Sequence, residues 1–438
     1  MTPLRGLVRV PGDKSIAHRA CLLAALGSGR SEIRGLSGGG DNTSTLRCLM
    51  ALGVGVEPRG VDGRSVAIDG VGLRGLRAPV EPLDCGNSGT TMRLLIGILA
   101  GQTGGQGDGL SFVLTGDDSL RRRPMNRVAK PMRLLGARIE LPQGDHPPVV
   151  VTPGPLVGVR CETGVASAQV KSALLLAGLQ AHGRTVVSEP VPTRDHTERM
   201  LRGLGVAVEV SDGEIALIGC EALPAADWDV PGDPSSAAFF VAAALLVPGS
   251  RVELPDVCVN PRRTGFLTAL GLMGARVELR DVRLQGGEPV GTIVAEYGPL
   301  RGLALDPARV PSLIDELPLL ALLAATAEGE TTISGAAELA VKESDRIVAT
   351  AELLRQAGAE VEIRPDGWHL GGGLRPRGGF VAACHHDHRI AMCAAILSLA
   401  CAERIAPDNP EAIAVSFPDF TRALARLSGP TGARAPGA

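Results

Sequence analysis

Several short polar stretches of this 438-residue chain carry the residue types that could do chemistry. Lys14-Ser15-Ile16-Ala17-His18-Arg19 sets an ammonium, a hydroxyl and a guanidinium at what reads as a helix start. A helix N-terminus adds free N–H groups and partial positive charge, so a phosphate or carboxylate could be held there. Ser15 can cap that start, and a capped surface helix with solvated charges is the competing reading. Asp84-Cys85-Gly86-Asn87-Ser88-Gly89-Thr90-Thr91-Met92-Arg93 reads as a turn into an apolar helix, with glycines such as Gly89 that let a ligand approach the backbone. Arg121-Arg122-Arg123 gathers three guanidiniums, able to clamp a carboxylate or merely to face water.

Ser167-Ala168-Gln169-Val170-Lys171-Ser172 opens another helix with hydroxyl and amide donors. In Arg194-Asp195-His196-Thr197-Glu198-Arg199 the pair Asp195 and Arg199 is spaced for an i,i+4 ion pair, so most of these side chains can be explained without a ligand. Asp315-Glu316 precedes an apolar helix, where a half-buried carboxylate serves either as a cap or as a general base. Lys342, Glu343 and Arg346 share one side of a helix, either as a surface ion network or as an anion site beside a carboxyl acid. His385-His386-Asp387-His388-Arg389 lacks standard ligand spacing, and no metal is expected. Only four of the 44 basic residues are lysines, and Lys14, Lys171 and Lys342 fall inside these stretches.

Together these stretches supply at least five cations and two carboxylates, with no Walker or Rossmann glycine pattern and no Ser-His-Asp or Cys-His order. That inventory suits two anionic substrates undergoing proton-transfer chemistry without a cofactor.

The elements that must position these groups repeat. Val10-Pro11-Gly12-Asp13-Lys14-Ser15 resembles Val230-Pro231-Gly232-Asp233-Pro234-Ser235, and each leads into an apolar helical run, a glycine stop and a β-branched stretch. Similar openings occur near Ser88, Gln169, Asp315 and His388, which makes six supersecondary units, three per half. Runs such as 94–100 and 319–324 are apolar nearly all round and should be buried, while strand candidates such as 65–68, 149–152 and 206–210 lie outside them. The expected fold is therefore a two-domain, inside-out α/β barrel of six βαβαββ-type units, with helices inside and sheets outside. One domain would be 13–230 and the other 1–12 plus 231–438, with crossovers near 10–14 and 228–234 and the active site in the interdomain cleft.

The bulk numbers agree with a packed globular protein: 45% apolar residues, only 2% aromatic, and a net charge of −3 that offers no field for nucleic acid or anionic lipid. Ten aromatics leave little for base stacking, which disfavours a nucleic-acid binder. Nine cysteines without a CxxC pair read as reduced, buried thiols. The opening residues carry no apolar signal core, and the longest apolar run, 237–247, is too short to cross a bilayer, so a cytoplasmic protein is expected.

Seven ordered motifs then carry a family resemblance over essentially the full length: Pro-Gly-Asp-Lys-Ser-x-x-x-Arg at 11–19, Gly-Asn-Ser-Gly-Thr at 86–90, Arg-Pro-Met at 123–125, Ser-Ala-Gln-Val-Lys-Ser at 167–172, Thr-Arg-Asp-His-Thr-Glu at 193–198, Lys-Glu-Ser-Asp-Arg at 342–346 and Asp-His-Arg-Ile-Ala-Met at 387–392. The chain resembles the 3-phosphoshikimate 1-carboxyvinyltransferases, or EPSP synthases, in the bacterial branch that contains glyphosate-tolerant members. The resemblance implies two domains that close on substrate, a monomer, and transfer of the enolpyruvyl group of phosphoenolpyruvate to the 5-hydroxyl of shikimate 3-phosphate. By motif position, shikimate 3-phosphate should meet Lys14, Ser15, Arg19, Ser167, Ala168, Gln169, Arg194, Asp315 and Lys342. Phosphoenolpyruvate should meet Lys14, Gly89, Arg123, Gln169, Arg346 and Arg389. Asp315 and Glu343 fall where the family has acid/base carboxylates, with Lys14 a further candidate for proton delivery.

Two departures stand out. Some members carry a lysine where this chain has Val415, and some use a tyrosine on the sugar-phosphate side, where Arg194 stands in here. Tolerant members carry alanine at the place of Gly89. The nearest alternative activity is the related transferase acting on UDP-N-acetylglucosamine, which has Lys-Asn where this chain has Lys14-Ser15.

Overall fold

A computed structural model describes residues 2–60, 63–103 and 111–429. The chain forms two compact units. The first comprises Gly12–Pro231 with Leu284–Glu288, and the second Met1–Pro11, Gly232–Arg283 and Pro289–Ala438.

In the first unit the helices Lys14–Leu26, Gly89–Ala100 and Ala168–Gly178 form the interior. Helices apolar around their circumference have no face to offer water, and Leu22, Leu95 and Leu174 are all buried. The helices Gly89–Ala100 and Ala168–Gly178 cross at backbone contact: a Cβ on Gly97 would lie 2.2 Å from the Ala173 carbonyl oxygen, so the crossing requires glycine.

Each inner helix leads into a small sheet, and the three sheets share one strand order. Gly27–Arg34 has the parallel strands Leu223–Pro224 and Trp228–Asp229 on one side and the antiparallel Ser65–Val71, then Gly55–Arg59, on the other. Phe112–Thr115 repeats the order with Leu83–Asp84 parallel to it and Val149–Thr152, then Arg138–Glu140, beyond. Arg184–Ser188 repeats it with Arg160–Glu162, Glu214–Ile218 and Val208–Ser211. Alternation puts one face of each strand inward, as in Arg138–Glu140, where only Ile139 is buried.

The second unit has the interior helices Pro234–Leu246, Leu317–Thr326 and His388–Ser398. Arg251–Cys258 takes Arg5–Leu7 as a parallel neighbour, then Glu288–Glu296 and Arg276–Gln285. Thr331–Ile333, Gly367–Leu370 and Val361–Arg364 form the next sheet in the same order.

The sixth copy is abbreviated. Among the described residues it keeps only the parallel pair of Val381–Ala382 with Ala406–Pro407. Where a hairpin would follow, Pro407, Pro410 and Pro418 lack the N–H groups a ladder needs, and the chain forms the 3-10 turn Pro410–Val415 and the helix Phe420–Leu427 instead. Phe420 then packs edge-on against Phe239 and Phe240 in the core, and Phe417 packs tilted against Phe240.

The inner helices start at Lys14, Gly89, Ala168, Pro234, Leu317 and His388, against openings expected at 15, 88, 169, 235, 315 and 388. The architecture is α/β with helices inside and sheets outside; among the described residues the strands form six separate sheets rather than one closed barrel. At the segments joining the halves, Asp13 N donates to the Pro231 carbonyl at 2.7 Å in the first unit, and Asp233 N to the Pro11 carbonyl at 2.8 Å in the second. Among the described residues no helix is long and apolar enough to cross a membrane.

Candidate functional site

In the first unit the three inner helices begin with the polar residues singled out by sequence. Asp13, not Ser15, caps the first helix: its Oδ1 accepts from Ile16 N at 2.9 Å. Both residues are good caps, but a side chain one position before the first helical residue reaches the free N–H groups better than one inside the first turn. Ser15 is thereby left half-buried with its hydroxyl unused for capping. Lys14 Nζ lies 2.7 Å from Asp41 Oδ2, at the start of the helix Gly40–Ala51.

Arg19 is buried, and its guanidinium donates to Thr197 Oγ1 and Ser172 Oγ at 2.7 Å each and to the Ser15 carbonyl at 2.8 Å. Burial pulls its pKa down to about 10, which leaves it charged at neutral pH. His18 is buried and bonded to Thr45 Oγ1 at 2.6 Å; burial takes its pKa down to about 3, so it is a neutral packing residue.

At the second helix, Ser88 Oγ caps Thr91 N at 3.1 Å, and Gly89 sits against two guanidiniums. A Cβ on Gly89 would lie 2.8 Å from Arg93 Nη1 and 3.4 Å from Arg123 Nη1. Arg123 Nη2 donates to Asn87 Oδ1 at 2.7 Å, whereas Arg121 and Arg122 are exposed, so one of the three guanidiniums turns inward. Gln169 bridges two helix starts: its Oε1 accepts from Arg93 Nη1 at 2.6 Å and its Nε2 donates to Thr90 Oγ1 at 2.8 Å. Ser167 Oγ accepts from Val170 N at 3.4 Å as the cap, and Ala168 is the first helical residue. Arg194 is half-buried beside Asp195, which pairs with Arg199 at 2.9 Å.

The second unit gathers the rest. Asp315 lies in the turn Ile314–Glu316 just before the helix Leu317–Thr326. Its carboxylate is 3.5 Å from Arg346 Nη1 and 3.9 Å from both Lys342 Nζ and Arg389 Nη2, and its carbonyl accepts from Arg389 Nη1 at 3.1 Å. Glu343 accepts from Arg346 Nη2 at 2.7 Å.

Arg346 is 1% exposed and donates from Nε to Asp387 Oδ2 at 2.8 Å. Burial opposes its charge, but Asp387, Glu343 and Asp315 outweigh burial and raise its pKa. The Asp387 carboxyl is depressed in turn, since Arg346 overrides the burial that would raise it. Burial lowers the Lys342 pKa, with Asp315 countering in part.

The histidine stretch splits apart: His385 meets Glu352, His386 meets Asn409, and His388 is buried. Val415, where a lysine is expected from the resemblance, is 38% exposed at the end of the turn Pro410–Val415.

Three residues of these clusters went unassigned in sequence: Arg93, Asp41 and Asp387. Asp387 stands in a quoted motif, and Asp41 follows three glycines at a helix start, so each had a local signal. Arg93 lies inside an apolar run, where only the fold reveals what it faces.

The family model for EPSP synthase (3-phosphoshikimate 1-carboxyvinyltransferase) matches residues 1–424. The chain belongs to this family. A 3-phosphoshikimate 1-carboxyvinyltransferase of Thermus thermophilus is 49% identical over 427 residues, 97% of each chain. That of Alkalilimnicola ehrlichii is 49% identical over 418 residues, covering 95% of this chain and 92% of its own. The solved EPSP synthase of Acinetobacter baumannii superposes with a TM-score of 0.85 at 42% identity, covering 97% of this chain and 96% of that one. The enolpyruvyl transferase NikO of Streptomyces tendae shares the fold at TM-score 0.76 and 20% identity, with 97% and 95% covered. This family member is thus an α/β protein whose polar helix starts bring cations and carboxylates together within each unit.

Proposed function

We propose that this chain transfers the enolpyruvyl group of phosphoenolpyruvate to the 5-hydroxyl of shikimate 3-phosphate, giving 5-enolpyruvylshikimate 3-phosphate and phosphate. The observation that carries the reading is the setting of Asp315, a carboxylate with Lys342, Arg346 and Arg389 within 3.9 Å of it. Those three cations surround the carboxylate proposed as base, and the same cations are positioned to neutralise an anionic substrate.

Asp315 takes the 5-hydroxyl proton as that oxygen attacks C2 of phosphoenolpyruvate, while a proton is delivered to the methylene carbon. The product of this step is a tetrahedral adduct carrying a methyl group. Loss of a methyl proton and expulsion of phosphate then restore the double bond as an enol ether. Glu343 and Lys14 are the two groups proposed to serve the carbon. Glu343 is tied to Arg346, which supports the carboxylate left when its proton moves, and Lys14 to Asp41, which supports the ammonium that carries the proton.

Shikimate 3-phosphate is assigned to Lys14, Ser15, Arg19, Ser167, Ala168, Gln169, Arg194, Asp315 and Lys342. Phosphoenolpyruvate is assigned to Lys14, Gly89, Arg123, Gln169, Arg346 and Arg389. The protein is proposed to act as a cytoplasmic monomer, without metal or cofactor. Phosphate release from phosphoenolpyruvate, measured with each acceptor, tests the reading. Release is expected with shikimate 3-phosphate and not with UDP-N-acetylglucosamine, and the reverse pattern overturns it.

A further inference from the structure

We infer that Lys171, together with Glu189 and Glu198, is a positioning residue that holds Arg194 in place for the phosphate of the acceptor, an inference that rests on the role proposed above for Arg194. Lys171 is one of four lysines in the chain and is 1% exposed. Its ammonium has three N–H donors and three acceptors close by: Glu198 Oε1 at 2.7 Å, Glu189 Oε1 at 3.1 Å and the Thr193 carbonyl at 3.4 Å. The two carboxylate side chains are themselves only 2% and 5% exposed. Burying three ionisable groups is costly, and helix–sheet packing alone does not require it.

What the cluster grips is the residue before Arg194. Glu189 accepts from Thr193 N at 3.0 Å and from Thr193 Oγ1 at 2.5 Å, so Thr193 is held at its N–H, its hydroxyl and its carbonyl. On the far side of Arg194, Glu198 is tied to Lys171, and Thr197 Oγ1 is bonded to Arg19 Nε and Ser172 Oγ at 2.7 Å each. The turn carrying Arg194 is therefore anchored on both flanks to the helix Ala168–Gly178, which opens with the Ser167–Gln169 contacts.

The charges explain why anchoring is needed. Among the charges that Arg19 feels, Glu198 and Asp13 support its own and Arg194 opposes it, so the two guanidiniums repel each other within a field that those carboxylates moderate. The backbone grip on Thr193 opposes that repulsion and keeps the Arg194 turn beside Arg19, where one phosphate can meet both guanidiniums.

Steady-state kinetics of Lys171→Met, which keeps the length and removes the charge, test this. The KM for shikimate 3-phosphate should rise about tenfold or more, some 1.4 kcal/mol, with kcat and the phosphoenolpyruvate KM little changed. In an Arg194→Ala background the same substitution should add almost nothing, because the group it positions is already gone.

A full tenfold effect in that background, or equal rises in both KM values, overturns the inference while the role of Arg194 stands. If Arg194→Ala itself leaves the shikimate 3-phosphate KM unchanged, the underlying assignment fails and the inference falls with it. Should Lys171→Met not fold, Lys171→Met with Glu189→Gln and Glu198→Gln removes all three charges together, and the same two comparisons decide.

Discussion

Asp315 works in a field set by its neighbours, and its replacement gives the most direct residue-scale test. Asp315→Ala should lower kcat by about 10²–10⁴-fold, the usual loss for a positioned base, with an unchanged circular dichroism spectrum. Arg346 keeps Glu343 and Asp387 as partners, so the fold does not depend on Asp315 alone. Lys342 adds a pH signature. Its pKa lies below the ordinary lysine value, so its charge is lost at lower pH than that of a free lysine, and kcat/KM should fall early on the alkaline side. Lys342→Arg should move that limb to higher pH; an unmoved limb removes Lys342 from the binding set. Gly89→Ala should raise the glyphosate inhibition constant more than the phosphoenolpyruvate KM, since the new Cβ meets Arg93 Nη1 at 2.8 Å and must displace it. Equal shifts in the two constants would count against this reading of the pocket. Residue types and spacing marked the polar stretches that hold Lys14, Gln169, Asp315 and Arg346, and the family resemblance is what proposed a role for each. Arg93 was given none, because periodicity marks a helix as buried without saying which of its polar atoms finds a partner.

Elements were read well where a single signal dominates. The three-residue gap between the Asp13 carboxylate and Ile16 N makes a cap, whereas the sequence reading offered Ser15, two positions on. The choice turns on where the first helical residue falls, and boundaries are the weakest part of any such reading. The sixth copy shows the complementary limit. Its helix His388–Ser398 is plain from the apolar run, whereas the loss of the strand pair follows from three prolines and a phenylalanine plug whose partners lie about 180 residues upstream. The helix crossing at Gly97 gives an element-scale test. A Cβ there would overlap the Ala173 carbonyl, so Gly97→Ala should destabilise the first unit by about 1–3 kcal/mol. Thermal unfolding should report this as a fall of several degrees, and an unchanged melting temperature would mean the two helices can part without cost.

At the scale of the molecule, the repeat is the property that sequence exposes best, because six polar openings each precede a helix that must be buried. Side-chain partners across the repeat are what it conceals, since pairs such as Arg19 with Thr197 depend on how distant copies meet. The two tryptophans provide a reporter for the molecule as a whole. Trp228 lies in the first unit, in the short strand Trp228–Asp229 that runs into the segment 230–233, and its buried Nε1 has no hydrogen-bond partner among the described residues. Trp368 is fully buried in the second unit, with its Nε1 donating to the Ile347 carbonyl at 2.9 Å. An indole whose N–H is unpaired and which adjoins a joining segment is the more responsive of the two to a change in backbone. Shikimate 3-phosphate should therefore change the intrinsic fluorescence of the wild type and of Trp368→Phe, and leave that of Trp228→Phe unaltered. A signal that survives Trp228→Phe and is lost in Trp368→Phe would move the responsive element into the second unit, away from the segment that joins the halves.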